Sequence, residues 1–415
     1  MRALMVVAVV FASIVFSYQP PSSDAADFDG FHNTTREWWN VDAFIHGEGN
    51  YSLTASFEYE RETPAANLFL TFFDWDQNGT YDFGSYGDNI SSIKCQGDDY
   101  ISVSYGDSWL MGAYPHYTFH FERENFVAEL NLTAISSPQF VAEEEGGMLP
   151  MGMGYYRYLF IPKCSVTGWI IFNGARENVE GIAYYEHVWG NWSYHHPMRG
   201  ASIKPYVNLT RWWIENANIS MNGFVISSNN PFGYDWAWIV FDNGWTLFYG
   251  TIPFWIDGFP FSIFYLYDGE KIREFGKISY EYIHGVFCDD TYIPTAIKVH
   301  GEGNGELFFE MHMSQKPHIY RDKLTSLLWK ELILYESPGK VSGFYMDGGK
   351  RVNLTGRCEM EMERQVSVFG YNLAGIVKTG KGFEFVFLST HLNVSLKITL
   401  TLFPFSIDFS FSHIR

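Results

Sequence analysis

A chain of 415 residues, 47% of them hydrophobic, is long enough for two domains or one large β domain with a substantial core, and too apolar to be disordered. Its formal charge of −19 argues against a phosphate-tracking nucleic-acid binder, which needs a basic patch, and against attraction to anionic lipid. Aromatic residues reach 19%, an excess that favours strands and can furnish an aromatic-lined pocket.

The chain opens on Arg2 and an apolar run from Ala3 to Phe16, followed by Pro20-Pro21 and small residues up to Ala26. This pattern predicts a signal peptide or N-terminal anchor over 1–26, and so a secreted or cell-surface protein. No later segment has roughly eighteen consecutive apolar residues, so no transmembrane span is expected in the mature chain. Ten Asn-x-Ser/Thr sequons, at Asn33, Asn50, Asn78, Asn89, Asn131, Asn191, Asn208, Asn218, Asn353 and Asn393, support export and glycosylation. Cys95, Cys164, Cys288 and Cys358 are too scattered for a zinc site, and in an exported chain at least one disulfide is expected.

The first predicted strand, Trp38 to Ile45, leads through Gly47-Glu48-Gly49-Asn50 into an aromatic strand from Tyr51 to Tyr59. Further on, Asp74, Asp76, Asn78 and Asp82 stand at positions 1, 3, 5 and 9 of a loop with Gly79 at position 6, which matches the front half of a calcium loop. Position 12 is Ser85 instead of a bidentate Glu, and an Asx-rich hairpin turn fits the same residues. Calcium is therefore the single cofactor the motifs suggest, and no cofactor is required. The Met-rich segment from Glu143 to Gly154 reads as a solvated connector at a domain edge.

Tyr184-Tyr185-Glu186-His187-Val188-Trp189-Gly190-Asn191-Trp192 packs a carboxylate, an imidazole and four large aromatics into nine residues. Successive side chains of a strand point to opposite faces, so Tyr185, His187 and Trp189 share one face. That stripe suits a cavity wall or a buried wall whose histidine is satisfied by a neighbour. A second Trp-bearing strand, Tyr234 to Phe241, leads through Asp242-Asn243-Gly244 into Trp245 to Tyr249 and echoes the first. The pentapeptide His-Gly-Glu-Gly-Asn also occurs at His46–Asn50 and at His300–Asn304. Duplication explains both echoes, and so does a shared hairpin vocabulary.

Leu324, Leu327, Leu328 and Leu332 predict a short amphipathic helix over 321–332. Phe383, Phe385 and Phe387, then Leu392 to Leu402, then Phe405 to Phe411, alternate as half-buried strands. Many short strands, recurrent turns and almost no helix indicate an all-β antiparallel barrel or sandwich.

Glu37-Trp38-Trp39, Tyr185-Glu186-His187-Val188-Trp189-Gly190, Tyr234-Asp235-Trp236-Ala237-Trp238 with Asp242-Asn243-Gly244, Tyr292-Ile293-Pro294-Thr295-Ala296 and Gly356-Arg357-Cys358-Glu359-Met360-Glu361 follow one another in that order. As an ordered set they resemble the hydroxyneurosporene synthase (carotenoid 1,2-hydratase) and AttH-like family, over about residues 36 to 365. The resemblance implies two consecutive antiparallel lipocalin-like β-barrels with very little helix. It places the first over 27–178 and the second over 179–415, with an insertion near 193–230 and a C-terminal strand extension. The family includes carotenoid hydratases, fungal Diels–Alder cyclases and proteins without an assigned activity. This chain departs from it at Glu186, where the family usually has Asp before the histidine.

Hydration of an alkene needs an acid, a site that tolerates a carbocation and a delivered water. A carboxyl in apolar surroundings supplies the first, and Trp and Tyr faces the second. By that reading Asp235 or Asp242 is the acid, Trp189, Trp236, Trp238 and Tyr234 surround the cation, and His187 orients water. A binding protein needs only an aromatic-lined cavity, with Trp38, Trp39, Tyr185, Trp189, Tyr234, Trp236 and Trp238 as its walls. The leading expectation is an exported protein that binds a hydrophobic small molecule such as an isoprenoid. The alternatives are a hydratase or cyclase acting on an unsaturated isoprenoid or polyene, and a cell-surface structural module.

Overall fold

The computed structural model describes residues 29–141, 148–151, 154–196, 224–227, 233–251, 262–289, 291–324, 329–368, 372–379, 382–389, 394–402 and 405–413. The predicted leader, most of the 193–230 insertion and most of the Met-rich connector lie outside them. Among the described residues there is no α-helix, only strands and a 3₁₀ turn at Ile90–Ser92. None therefore holds a helix long and apolar enough to cross a membrane.

The first sheet is built on β1 (Arg36–His46), β2 (Asn50–Glu60), β3 (Ala65–Asp74), β4 (Gly154–Phe172) and β5 (Ala175–Asn191), which lie side by side as β3-β2-β1-β5-β4. It continues beyond β4 through Phe126–Ala134, His116–Arg123, Ser108–Ala113, Ile101–Tyr105 and Ile93–Gln96, and curls into a half-barrel. Every pairing is antiparallel, and β1 is in register with β5 from Arg36 opposite Gly190 to His46 opposite Glu180.

The second sheet follows with β6 (Tyr234–Phe241), β7 (Thr246–Thr251), β8 (Ser262–Tyr267), β9 (Ile272–Cys288), β10 (Thr291–Gly303), β11 (Gly305–Met313), β12 (His318–Lys323), β13 (Trp329–Asp347) and β14 (Lys350–Ser367). Its order is β11-β10-β9-β8-β7-β6-β14-β13-β12, and β13 also pairs back onto β11. That last pairing closes a ring. The echo between the Trp-bearing strands has a topological counterpart, since β1 lies between β2 and β5 as β6 lies between β7 and β14.

Two expectations are corrected. The strand carrying His187 does not open the second barrel, because β5 is hydrogen-bonded on one side to β1 and on the other to β4, deep in the first sheet. The boundary at 178/179 therefore moves beyond Asn191. The helix over 321–332 is replaced by the arms of an antiparallel pair, β12 and β13, with Asp322 opposite Leu332. Leu324 and Leu332 are both buried, one from each arm, while Leu327 and Leu328 lie outside the described residues.

A separate five-stranded sheet joins the insertion to the C-terminal extension. Phe224–Ser227 pairs with Asn372–Thr379, and Gly382–Ser389, Val394–Leu402 and Phe405–His413 follow as a meander. The predicted C-terminal strands form, but Phe405–His413 is not half-buried: Ile407 and Phe409 are exposed on one face as Asp408 is on the other.

Three cores result. The half-barrel encloses Trp39, Phe57, Leu70, Phe119 and Tyr185, and the ring encloses Ile239, Tyr249, Phe309, Met360 and Met362. The third core lies between the two and needs both: Phe44 stacks on Trp238 at 5.2 Å, and Phe160 on Phe248 at 4.6 Å. Aromatic pairs of this kind are worth about 0.5–1.5 kcal/mol each beyond the area they bury. All four cysteines are free thiols, so the expected disulfide is not formed.

Candidate functional site

The polar faces of the central strands do not meet water. On β1 the residues Arg36, Trp38, Asn40 and Asp42 point away from the half-barrel's core, as alternation requires, and toward the second sheet. On β2 the same face carries Thr54, Ser56, Glu58 and Glu60, and on β5 it carries Tyr184 and Glu186. The ring answers with Glu336 on β13 and with Glu359, Glu361 and Glu363 on β14. Between these faces lies a cavity of about 320 Å³, lined by residues that include Trp38, Asn40, Glu58, Glu60, Glu186, Tyr194, Tyr234, Tyr320, Glu336, Glu361 and Glu363.

Among the described residues Arg36 is the one arginine of the lining, and two carboxylates already claim it. Its guanidinium donates to Glu58 and to Glu60, the latter at 3.1 Å, and lies 4.4 Å from the centre of the Tyr194 ring. Glu186 and Glu361 are met instead by neutral donors. Burial pushes Glu186 up although Tyr158, Trp38 and Tyr184 all donate to it, Trp38 Nε1 at 2.8 Å. Burial also lifts Glu363 to about 7, against hydrogen bonding from Tyr194 and the charge of Arg36. Glu361 is driven well above the usual carboxyl range, first by burial and then by Glu336.

Glu361 and Glu336 stand directly opposite each other across β14 and β13, a geometry that sets Cβ atoms about 5 Å apart. Tyr234 donates to Glu361 Oε1, and among the described residues Oε2 carries no hydrogen bond. Unlike its buried neighbours, Glu361 keeps partial exposure, and it does so into the cavity. Glu336 Oε1 is held by His318 Nδ1 at 2.8 Å and by the Thr71 hydroxyl. His318 also reaches Asp82 of the first sheet at 3.1 Å, so this imidazole ties the two barrels together beside the cavity. Against burial, hydrogen bonds to Asp82 and Glu336 hold His318 up at about 10. It is an imidazolium at neutral pH.

The residues singled out from the sequence divide three ways. Trp38 and Tyr234 line the cavity. His187, Trp39, Tyr185 and Trp189 lie inside the half-barrel, where His187 Nε2 meets Glu37 Oε1 at 2.8 Å and its ring packs against Trp39 and Trp189. Trp236 and Trp238 belong to the core between the barrels, and the Trp238 indole donates to the Pro162 carbonyl at 3.1 Å. Neither proposed acid reaches the cavity. Asp235 turns into the ring, paired with Arg364 at 2.5 Å and bonded by Tyr282, while Asp242 sits exposed in its turn and accepts from Thr355 at 2.6 Å.

Glu186, Glu336, Glu361 and Glu363 were the residues missed. A signal for two of them was present: Cys358-Glu359-Met360-Glu361-Met362-Glu363 alternates sulfur side chains with carboxyls, which ordinarily marks a half-solvated strand. Here the first barrel covers the acidic side.

The loop at Asp74 forms a hydrogen-bonded turn. Asp74 Oδ1 accepts from the amides of Asp76 and Gln77, Asp76 Oδ2 accepts from the Asn50 amide, and Asn78 has φ +52°. Asp82 is committed to Tyr86, Gly84 and His318. Among the described residues, His32, Glu37 and His187 form the one acidic or histidine trio with ligand atoms within 4.8 Å of one another. Direct hydrogen bonds fill that trio: both histidines reach Glu37 Oε1, and Tyr59 donates to Oε2 at 2.8 Å.

No family model and no curated protein sequence matches the chain. Solved structures do. A protein of Nitrosomonas europaea assigned as an AttH aligns with 16% identity and a TM-score of 0.54, over 83% of this chain and 98% of its own. Kievitone hydratase from Nectria haematococca aligns with 13% identity and a TM-score of 0.55, over 84% and 98%. CghA with Sch210972 aligns with 11% identity and a TM-score of 0.50, over 84% and 95%. At such identities the likeness is one of architecture: the chain has the two-barrel, lipocalin-like fold of AttH-like proteins.

Proposed function

We propose that the cavity between the barrels binds a small unsaturated molecule and adds water across its double bond. The observation that carries this reading is Glu361, a carboxyl with raised proton affinity and one oxygen open to the cavity, facing the carboxyl of Glu336. Glu361 gives its proton to one alkene carbon, and the π pair becomes the new C–H bond. The neighbouring carbon is left cationic beside the faces of Trp38, Tyr194 and Tyr320. Water attacks that carbon and releases a proton to Glu336, and transfer of this proton back to Glu361 restores the pair. The fold shared with kievitone hydratase is compatible with such chemistry and adds no residue-level support.

Apolar walls from Phe69, Leu332 and Leu334 suit a hydrocarbon portion of the ligand, in keeping with an isoprenoid skeleton. Export belongs to the same reading. Asn33, Asn50, Asn78, Asn89, Asn131 and Asn353 are exposed, as glycan-bearing sites must be, whereas the Asn191 amide is committed to Thr35 and Tyr155. The test is incubation with a prenylated phenol in heavy-oxygen water, followed by mass spectrometry. Incorporation of one labelled water, lost in Glu361→Gln, is the expected result. Retention of unchanged substrate by the native protein reduces the cavity to a binding site.

A further inference from the structure

Beyond Asn40 the same face of β1 continues to Asp42, and beyond Glu361 the same face of β14 continues to Glu359. Asp42 is fully buried and Glu359 is 3% exposed. Charge repulsion between them across the barrels adds to the burial that raises Glu359. Asn40 Nδ2 donates to Asp42 Oδ2 at 2.6 Å, which fixes the amide. The hydroxyls of Thr54 and Ser52 lie near Asp42 and Glu359, yet among the described residues Asn40 Oδ1, Asp42 Oδ1 and both oxygens of Glu359 make no well-formed hydrogen bond. Asn40 is part of the cavity lining, and Asp42 and Glu359 lie behind it, one step further along β1 and β14.

Each unsatisfied buried oxygen costs about 1–3 kcal/mol, and more when ionised. A single positive group with three N–H donors would relieve most of them. A small metal ion is less suited, because among the described residues no third acidic, histidine or cysteine ligand joins the two carboxylates. An ammonium reaches further, since its N–H···O contacts run to about 2.8 Å on every side. The aromatic faces of Trp38, Tyr194 and Tyr234 on the approach suit a cation as well.

We infer that Asn40, Asp42 and Glu359 form a subsite for the protonated amino group of a small amine, so that the ligand of the cavity carries a cationic end. The inference rests on the reading of the cavity as a ligand site, and it narrows the substrate class to amines.

Calorimetric titration of the full chain with tyramine, and with the matching neutral alcohol 4-hydroxyphenethyl alcohol, tests it. Tyramine is expected to bind at least about tenfold more tightly, a margin of about 1.4 kcal/mol. That margin should vanish in Asp42→Asn and in Glu359→Gln, with each variant's melting curve confirming a folded chain. Equal affinity for the two probes, absence of tyramine binding, or a margin that survives both substitutions overturns the subsite. A response to calcium or magnesium without one to tyramine overturns it in favour of a metal. Equal binding of both probes leaves the hydration reading standing. A tyramine preference without turnover of any alkene removes only that reading.

Discussion

Glu186 and His187 are consecutive on β5 and serve opposite sides of the same sheet. The Glu186 side chain turns to the cavity and accepts from the Trp38 indole at 2.8 Å; His187 turns into the half-barrel and meets Glu37 at 2.8 Å. One peptide step thus separates a carboxyl of the candidate site from a histidine of the core. The two call for different experiments.

His187→Ala takes from Glu37 its fully buried histidine partner, leaving only His32 and Tyr59 on that carboxylate, and opens a cavity inside the half-barrel. A loss of about 3–5 kcal/mol is expected, the scale for breaking a buried pair, and denaturant titration measures it. Against burial, hydrogen bonds from His187 and His32 hold Glu37 down at about 2. The stability this brings is therefore present above the ordinary carboxyl range and is lost as pH falls from about 4.5 toward about 2. A His187→Ala variant should show a flatter melting profile across that acid window.

Glu361→Gln removes the transferable proton and keeps the shape. Turnover should fall about 10²- to 10⁴-fold, the usual share of a general acid, while ligand affinity and melting temperature hold or rise. A collapse of affinity together with turnover would make Glu361 a binding group.

Glu363 offers a titration near neutrality. Burial raises it to about 7, so the fold loses stability as pH rises from about 4.5 to about 7. Glu363→Gln abolishes that loss, and above pH 7 the variant should exceed the native protein by up to about 3 kcal/mol. Melting temperatures at pH 5 and pH 8 give the answer, with the gain confined to the higher pH.

The His318 clamp also loses stability as pH rises, but replacing it lowers stability where replacing Glu363 adds to it. Its raised proton affinity gives stability that is complete below about 6.5 and is lost as pH climbs through about 10. His318→Gln should lower the melting temperature at pH 7 and converge with the native protein above pH 10. Because Asp82 and Glu336 lie on different barrels, the variant should also become susceptible to proteolysis at their junction.

The strands were legible because alternation is a local property. Leu396, Ile398 and Leu400 announce their strand without reference to any other residue, and the two hairpins after the Trp-bearing strands carry their own turn residues. What cannot be read locally is which side of a strand another domain covers. Glu359, Glu361 and Glu363 have the spacing of a wetted face, and only the opposing face of β1 and β2 makes them interior. Asp235 was chosen for its aromatic neighbours, yet its parity on β6 aims it at Arg364, a partner 129 residues away. The leucines near 324–332 failed for a related reason, since four apolar residues on a short segment do not reveal whether the chain turns back between them.

The core shared by the barrels has a consequence for cooperativity. Phe44 and Phe160 find their stacking partners in Trp238 and Phe248 of the other sheet, so neither barrel completes its packing alone. Heating should then melt both in one calorimetric transition. A cavity-forming substitution far inside either barrel will lower the melting point of the whole, and the site between them will vanish at that same temperature.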